Sequence, residues 1–134
     1  MGEGVLIKCK DCEFENEYML GEGFLFSSFE SVIELLPQKK YLSAKEILKN
    51  NQNTKKNFGG YEVYQCENCA STQNIFFIEI KDKDNKVLFT SINKCLKCNM
   101  HRTKLNKNND ILINYKCPKC KSNKIDMGMS MMWD

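Results

Sequence analysis

All eight cysteines of this 134-residue chain fall into four Cys-x-x-Cys pairs: Cys9/Cys12, Cys66/Cys69, Cys95/Cys98 and Cys117/Cys120. Each pair is half of a tetrahedral metal site. The two-residue gap closes a tight turn that aims both sulfurs at one point, and backbone N–H groups of the turn can donate to the thiolates. No cysteine is left over for a separate catalytic or redox role. Two four-cysteine sites account for the whole set, and zinc is the metal expected at both, with iron as the alternative for the same ligand geometry.

A disulfide within such a pair would close a very short loop, where cross-linking stabilises least. The first residues, Met1 to Lys8, lack the basic start and long apolar run of a secretion signal, and no apolar stretch reaches membrane-spanning length. A cytoplasmic location is expected, with no membrane partner, and in a reducing compartment paired thiols serve as ligands. A chain of this length suits one domain or two small lobes, and lobes so small are commonly held by metal.

The formal charge is +3, but each zinc with four thiolates carries −2, so the loaded protein is close to neutral. The distribution says more. Residues 94–124 hold nine basic residues and one acid, whereas residues 1–93 hold 11 basic and 14 acidic ones. Such lopsidedness points to an anionic partner for the C-terminal region. The counter-reading is that nineteen of the twenty basic residues are lysine, a compositional bias spread over the chain.

Along the chain, Val5–Lys8 and Phe14–Leu20 read as strands around the first knuckle, and Gly21-Glu22-Gly23 as a turn before Phe24–Phe26. Ser27 with Glu30 and Ser43 with Glu46 are two capping boxes. They predict short helices over about 28–36, with Phe29, Val32, Ile33 and Leu36 buried, and over about 44–51, with Ala44, Ile47 and Leu48 buried. Asn50–Gly60 is polar and ends in two glycines, which predicts an exposed loop. The clearest hairpin joins Asn74–Lys81 to Val87–Ile92 through Asp82–Lys86. Ile111–Tyr115 reads as a strand entering the last knuckle after a loop or hairpin tip over His101–Asp110. In the tail, Ile125, Met127, Met129, Met131 and Trp133 recur at every second position, the pattern of a strand with one apolar face and a better account of these methionines than soft-metal binding.

Pairing the knuckles in sequence order gives site 1 from Cys9, Cys12, Cys66 and Cys69, and site 2 from Cys95, Cys98, Cys117 and Cys120. It is the expected pairing because short-range closure costs the least entropy. A middle pairing would join Cys66/Cys69 to Cys95/Cys98 and leave the outer pairs to meet; a crossed pairing would alternate them. In site 2 the half-sites stand 18 residues apart, and the last is preceded by Tyr115-Lys116 and reads Cys117-Pro118-Lys119-Cys120. This resembles the zinc-ribbon superfamily, in which two knuckles on β-hairpins clamp one zinc, and the layout looks like small uncharacterised bacterial zinc-ribbon proteins. One departure is the glycine that often follows the second cysteine; here Glu13, Ala70, Asn99 and Lys121 stand there. The resemblance implies a small metal-stabilised α+β fold of two zinc-ribbon β lobes. The N-terminal lobe would span 1–92, with a helical insertion at about 28–51 and a β-hairpin at about 74–92, and the basic C-terminal lobe 93–134.

Complete sets of four sulfurs are structural, since a catalytic zinc keeps a position open. The sole histidine, His101, faces a full ligand set and reads as a loop residue. No small-molecule substrate is evident, and the chain is expected not to be an enzyme. The leading expectation is a nucleic-acid-binding module. Lys97, Lys104, Lys107, Lys116, Lys119, Lys121 and Lys124 would contact phosphates, Arg102 would be a bidentate donor, and Tyr115 or Trp133 would offer stacking faces. The alternatives are a protein–protein adaptor, a thiolate redox sensor, and a rubredoxin-like iron protein.

Overall fold

The computed structural model describes residues 2–23, 27–105 and 115–133. The chain begins with the antiparallel strands β1 (Gly2–Cys9) and β2 (Glu15–Gly21), joined by the first knuckle. Two helices follow, α1 (Phe29–Ile33) and α2 (Gln38–Asn50). Next come β3 (Lys55–Gln65), β4 (Thr72–Lys81) and β5 (Val87–Thr90), which form an antiparallel meander with the second knuckle between β3 and β4. The short β6 (Thr103–Lys104) pairs with the end of β3, and β7 (Ile125–Trp133) pairs antiparallel with β1 along its whole length. The sheet order is β5-β4-β3-β2-β1-β7, an α+β arrangement with both helices between β2 and β3.

The middle of this sheet is its thinnest place. β2 and β3 share a single pair, Gly21 with Tyr61. There the chains come so close that a Cβ on Gly60 would lie 2.5 Å from the backbone carbonyl of Gly21, so only glycine fits. Further along, where the two strands no longer pair, the Asn74 side chain takes over. Its carboxamide accepts from Met19 N–H at 2.8 Å and donates to the Met19 carbonyl at 2.8 Å and to that of Glu62 at 3.1 Å.

Two cores flank this joint. In one, Phe29, Val32, Ile33, Leu36 and Ala44 of the helical segment cover Phe76, Ile78 and Ile80, the alternate residues on one face of β4. In the other, Val5, Ile7, Tyr18 and Leu20 of β1 and β2 enclose Val63, Leu105 and Tyr115. Each such fully buried side chain contributes roughly 1.5–3 kcal/mol.

Several local expectations shift. The cap of α1 is Ser28, whose hydroxyl accepts from Ser31 N–H at 3.2 Å, and not Ser27. α2 starts six residues before the predicted 44, at Gln38 behind Pro37, so Ser43 and Glu46 lie inside the helix and form no cap. The buried stripe reaches back one turn to Tyr41, and that packing outweighs the local capping signal. The expected loop over Asn50–Gly60 is half strand. Lys55–Phe58 pair with β4, and Gly59-Gly60 form an irregularity that lets β3 turn under β2. In β7, Ile125 packs on the second core, but Met127 is 44% exposed, so the expected apolar face does not continue there. A register shift opposite Gly4 and Val5 also breaks the strict alternation. Phe24–Phe26, Ile111–Asn114 and the side chains of Met129, Met131 and Trp133 lie outside the described residues.

The two strands described within residues 93–134 both pair with earlier strands: β7 lies beside β1, and β6 beside β3.

Candidate metal centres

The knuckles pair as a nest. Cys9, Cys12, Cys117 and Cys120 form an outer cluster, and Cys66, Cys69, Cys95 and Cys98 an inner one, with the sulfurs of each set within 4.8 Å of one another. All eight expected ligands are brought together, but the sequential assignment to sites is replaced by the middle pairing. Short-range closure does favour the sequential pairing, but only slightly. Closure entropy grows only with the logarithm of loop length, so the nested pairing costs on the order of 1 kcal/mol more. The β1–β7 ladder is worth more than that, since each backbone hydrogen bond contributes about 0.5–1.5 kcal/mol. That ladder aligns Cys9 with Ile125 and so delivers the fourth knuckle to the first.

Three knuckles share one backbone design. The first cysteine's N–H donates to the carbonyl five residues on, at 2.9 Å for Cys66 to Ser71, Cys95 to Met100 and Cys117 to Ser122. The carbonyl of that cysteine in turn accepts from the N–H of Ala70, Asn99 or Lys121 at 2.8–2.9 Å. Those last three residues sit at φ 65°, 52° and 64°. Each directly follows the second cysteine of its knuckle, and a non-glycine residue holds the left-handed backbone there. The first knuckle differs: Cys9 N–H bonds to the Phe14 carbonyl at 2.9 Å, but Glu13 is not among the described residues with positive φ.

Sulfur–sulfur approaches run from 3.4 Å (Cys69–Cys95) through 3.5 Å (Cys9–Cys120) to 3.6 Å (Cys12–Cys117). A tetrahedral zinc with Zn–S bonds of about 2.3 Å separates its sulfurs by about 3.8 Å, so both sets fit such an ion with small adjustment. The thiols also differ in acidity as crowded groups must. The Ser71 hydroxyl, then the N–H of Cys98, hold Cys95 down to about 6. Burial opposes ionisation of Cys117, but the N–H groups of Cys120 and Lys119 outweigh it and lower it to about 7. Cys98 receives the Asn68 amide, yet the neighbouring cysteines and burial push it up to about 11. Cys120 receives the Ser122 N–H, yet burial and its three partner cysteines raise it to about 12. Once the first thiols of a set ionise, the others resist until a cation arrives.

Matched against family models, curated proteins and solved structures, the chain finds no counterpart. Its chemistry is therefore read from its own side chains.

The nest also redistributes the basic residues. Lys97 and Arg102 belong to the inner centre, whereas Lys119, Lys121 and Lys124 surround the fourth knuckle of the outer one, facing a first knuckle that carries Asp11. Arg102 is not free to grip phosphate. Its guanidinium donates to the Asn93 carbonyl at 3.2 Å and to the Ser71 hydroxyl at 3.3 Å. Lys104 pairs with Glu62 at 3.5 Å. Tyr115 offers no stacking face, being 1% exposed and hydrogen-bonded to the Tyr18 hydroxyl at 2.9 Å. Lys97, Lys116, Lys119, Lys121 and Lys124 are exposed, while Lys107 lies outside the described residues. His101 is exposed and joins neither cluster. Sequence reasoning missed Ser71, Asn68 and Gln65, which have no signal beyond their adjacency to a knuckle. No described helix is long and apolar enough to cross a membrane.

Proposed function

We propose that this is a non-enzymatic binding module in which two zinc ions hold the knuckles as a rigid frame, and that the frame presents lysines to a nucleic-acid backbone. The observation that carries the reading is the state of five lysines. Lys97, Lys116, Lys119, Lys121 and Lys124 are exposed on or beside the third and fourth knuckles, and no ion pair among the described residues engages them. Lysine ammonium groups on a rigid surface suit sequence-independent phosphate contact. The zinc ions act here as structural cations: a closed set of four thiolates neither binds nor activates a substrate.

The test is anisotropy of a labelled single-stranded RNA and of a DNA duplex, titrated with the zinc-loaded protein at several salt concentrations. Binding is expected to weaken linearly in log–log form as salt rises, and Lys119→Glu with Lys121→Glu is expected to weaken it about tenfold or more. Binding that ignores both salt and charge reversal rejects the reading.

One observation favours a protein adaptor as the second reading. Leu96, at the tip of the third knuckle, is 98% exposed and Met100 beside it 44%. A partner that co-purifies in the presence of nuclease and is lost with Leu96→Asp would support it.

A further inference from the structure

The two centres have the same ligands and opposite surroundings. In the inner centre Ser71, two residues after Cys69, lies with its hydroxyl 3.2 Å from the Cys95 sulfur and 3.4 Å from that of Cys69. Behind it stands Arg102, whose Nη2 donates to the Ser71 oxygen at 3.3 Å and whose Nε is buried without a hydrogen-bond partner among the described residues. The Asn68 amide donates to the Cys98 sulfur at 3.2 Å. In the outer centre the equivalent serine, Ser122, turns away from the sulfurs and donates to the Asp11 carboxylate. The lysine within the first knuckle, Lys10, is held by Asp126 at 3.3 Å. Lys119 and Lys121 are exposed, and no described hydrogen bond joins either ammonium to a sulfur. Donors to the described outer sulfurs, other than the cysteines themselves, are backbone N–H groups, such as Phe14 to Cys12 and Cys120 to Cys117, both at 3.5 Å.

Four thiolates around a divalent cation leave two negative charges to be compensated. Directed side-chain donors and a partly buried guanidinium do this at the inner centre and draw electron density from its sulfurs. At the outer centre no side-chain hydroxyl, amide or guanidinium among the described residues donates to a sulfur, and the Asp11 carboxylate takes the Ser122 hydroxyl, so its sulfurs stay the more electron-rich. Exposure points the same way: Cys120 is the exposed cysteine, and no inner sulfur belongs to an exposed residue.

We infer that the outer centre is a thiolate switch that a hydroperoxide opens at Cys120, and that the inner centre is the permanent one. Susceptibility follows thiolate character and access; ligation to a cation makes every member of a set a thiolate, and access then singles out Cys120. In the reaction the Cys120 thiolate attacks one peroxide oxygen; the O–O bond breaks, and the departing hydroxide takes a proton to become water. The sulfenic acid left on Cys120 is then attacked by the Cys9 thiolate, whose sulfur lies 3.5 Å away. An S–S bond forms, the S–O bond breaks, and a second hydroxide leaves as water. Two sulfurs surrender one electron each, the peroxide gains two, and two protons are consumed. Of the outer set only Cys12 and Cys117 would then remain to hold a metal ion, which a chelator could remove. The first and fourth knuckles stay linked covalently, so β7 remains on β1 while the centre empties.

The inference rests on both centres holding zinc, which elemental analysis of the loaded protein establishes before oxidant is added; it does not depend on nucleic-acid binding. The experiment adds one equivalent of hydrogen peroxide to the two-zinc protein, follows zinc with a chromophoric chelator, and maps disulfides by peptide mass spectrometry. One zinc per chain is expected to leave at least about tenfold faster than the second, with a Cys9–Cys120 disulfide and the four inner cysteines reduced. Simultaneous loss of both ions, or an inner disulfide forming first, overturns it. Arg102→Met is expected to bring the inner rate up towards the outer one, and Arg102→Lys to restore the difference. Should Arg102→Met fail to fold, Asp11→Asn tests the same charge argument from the exposed side: it is expected to slow outer release, and an unchanged rate overturns the inference.

Discussion

Gln65 and Lys116 clasp one another. The Gln65 carboxamide donates to the Lys116 carbonyl at 2.7 Å and accepts from the Lys116 N–H at 3.1 Å. Each residue immediately precedes the buried first cysteine of a knuckle, Cys66 of the inner centre and Cys117 of the outer one. The same Gln65 amide donates to the Ala70 carbonyl at 2.8 Å, at the far end of its own knuckle. A single side chain, 4% exposed, therefore registers the two metal centres against each other.

Truncating it leaves two carbonyls and an N–H without their partner. Gln65→Ala is expected to cost about 2–4 kcal/mol in chemical denaturation of the zinc-loaded protein. It should also weaken both metal centres in chelator competition, whereas a change that affected one alone would place the clasp outside their coupling.

The joint between β2 and β3 predicts a graded glycine series. At Gly60 an added methyl meets backbone at 2.5 Å; at Gly59 the nearest atom is Phe77 Cβ at 3.6 Å; at Gly128 nothing lies within 4 Å. Gly60→Ala is expected to destabilise by about 3 kcal/mol or more, Gly59→Ala by less, and Gly128→Ala to be close to neutral by thermal melting. A neutral Gly60→Ala would contradict the close crossing.

Lys121 holds a left-handed backbone at φ 64° with its side chain in solvent. Glycine removes that strain and loses no packing, though it frees the unfolded chain. Lys121→Gly is expected to raise stability by about 0.5 kcal/mol, read as a higher denaturation midpoint at unchanged slope.

Nested pairing makes a distinctive claim about paired substitutions. Cys95→Ser with Cys117→Ser strikes both centres, so neither zinc is expected to be held tightly. Cys66→Ser with Cys95→Ser strikes only the inner centre, and one tight zinc should survive. Elemental analysis after dialysis against a chelator decides between these outcomes, and the survival of one ion in the first variant would reverse the pairing.

Metal affinity should rise with pH, and the sign follows from the thiols. In the metal-free protein Cys98 and Cys120 hold their protons up to about 11 and about 12, and both must release them to bind. Cys95 and Cys117, at about 6 and about 7, add further displaced protons only as the pH falls through those values. Each displaced proton contributes about tenfold in affinity per pH unit, so chelator competition at pH 6, 7 and 8 should show affinity falling at least that steeply towards acid.

The ligand inventory was legible without a structure because a Cys-x-x-Cys turn is local: its spacing alone aims two sulfurs together. The same holds for the hairpin of Thr72–Lys81 with Val87–Thr90, written in alternating residues around a polar turn. What failed were inferences that depend on remote packing. Ser43 carried a cap signal that the Tyr41 stripe overrode, and Gly59-Gly60, read as the end of a loop, lie within a strand that turns. The basic run at 94–124 looked like one surface, but it is divided between two centres, and Arg102 is spent on Ser71.

Sequence by itself therefore determined which eight sulfurs could hold metal and that they come in knuckles. The tertiary structure decided which knuckles meet. Loop entropy separates the alternatives by only about 1 kcal/mol, so the choice fell to the backbone ladder between β1 and β7, whose register no local spacing records. It also decided that the centres are unequal, because Ser71 and Ser122 occupy the same place in their knuckles and meet opposite charges across the fold.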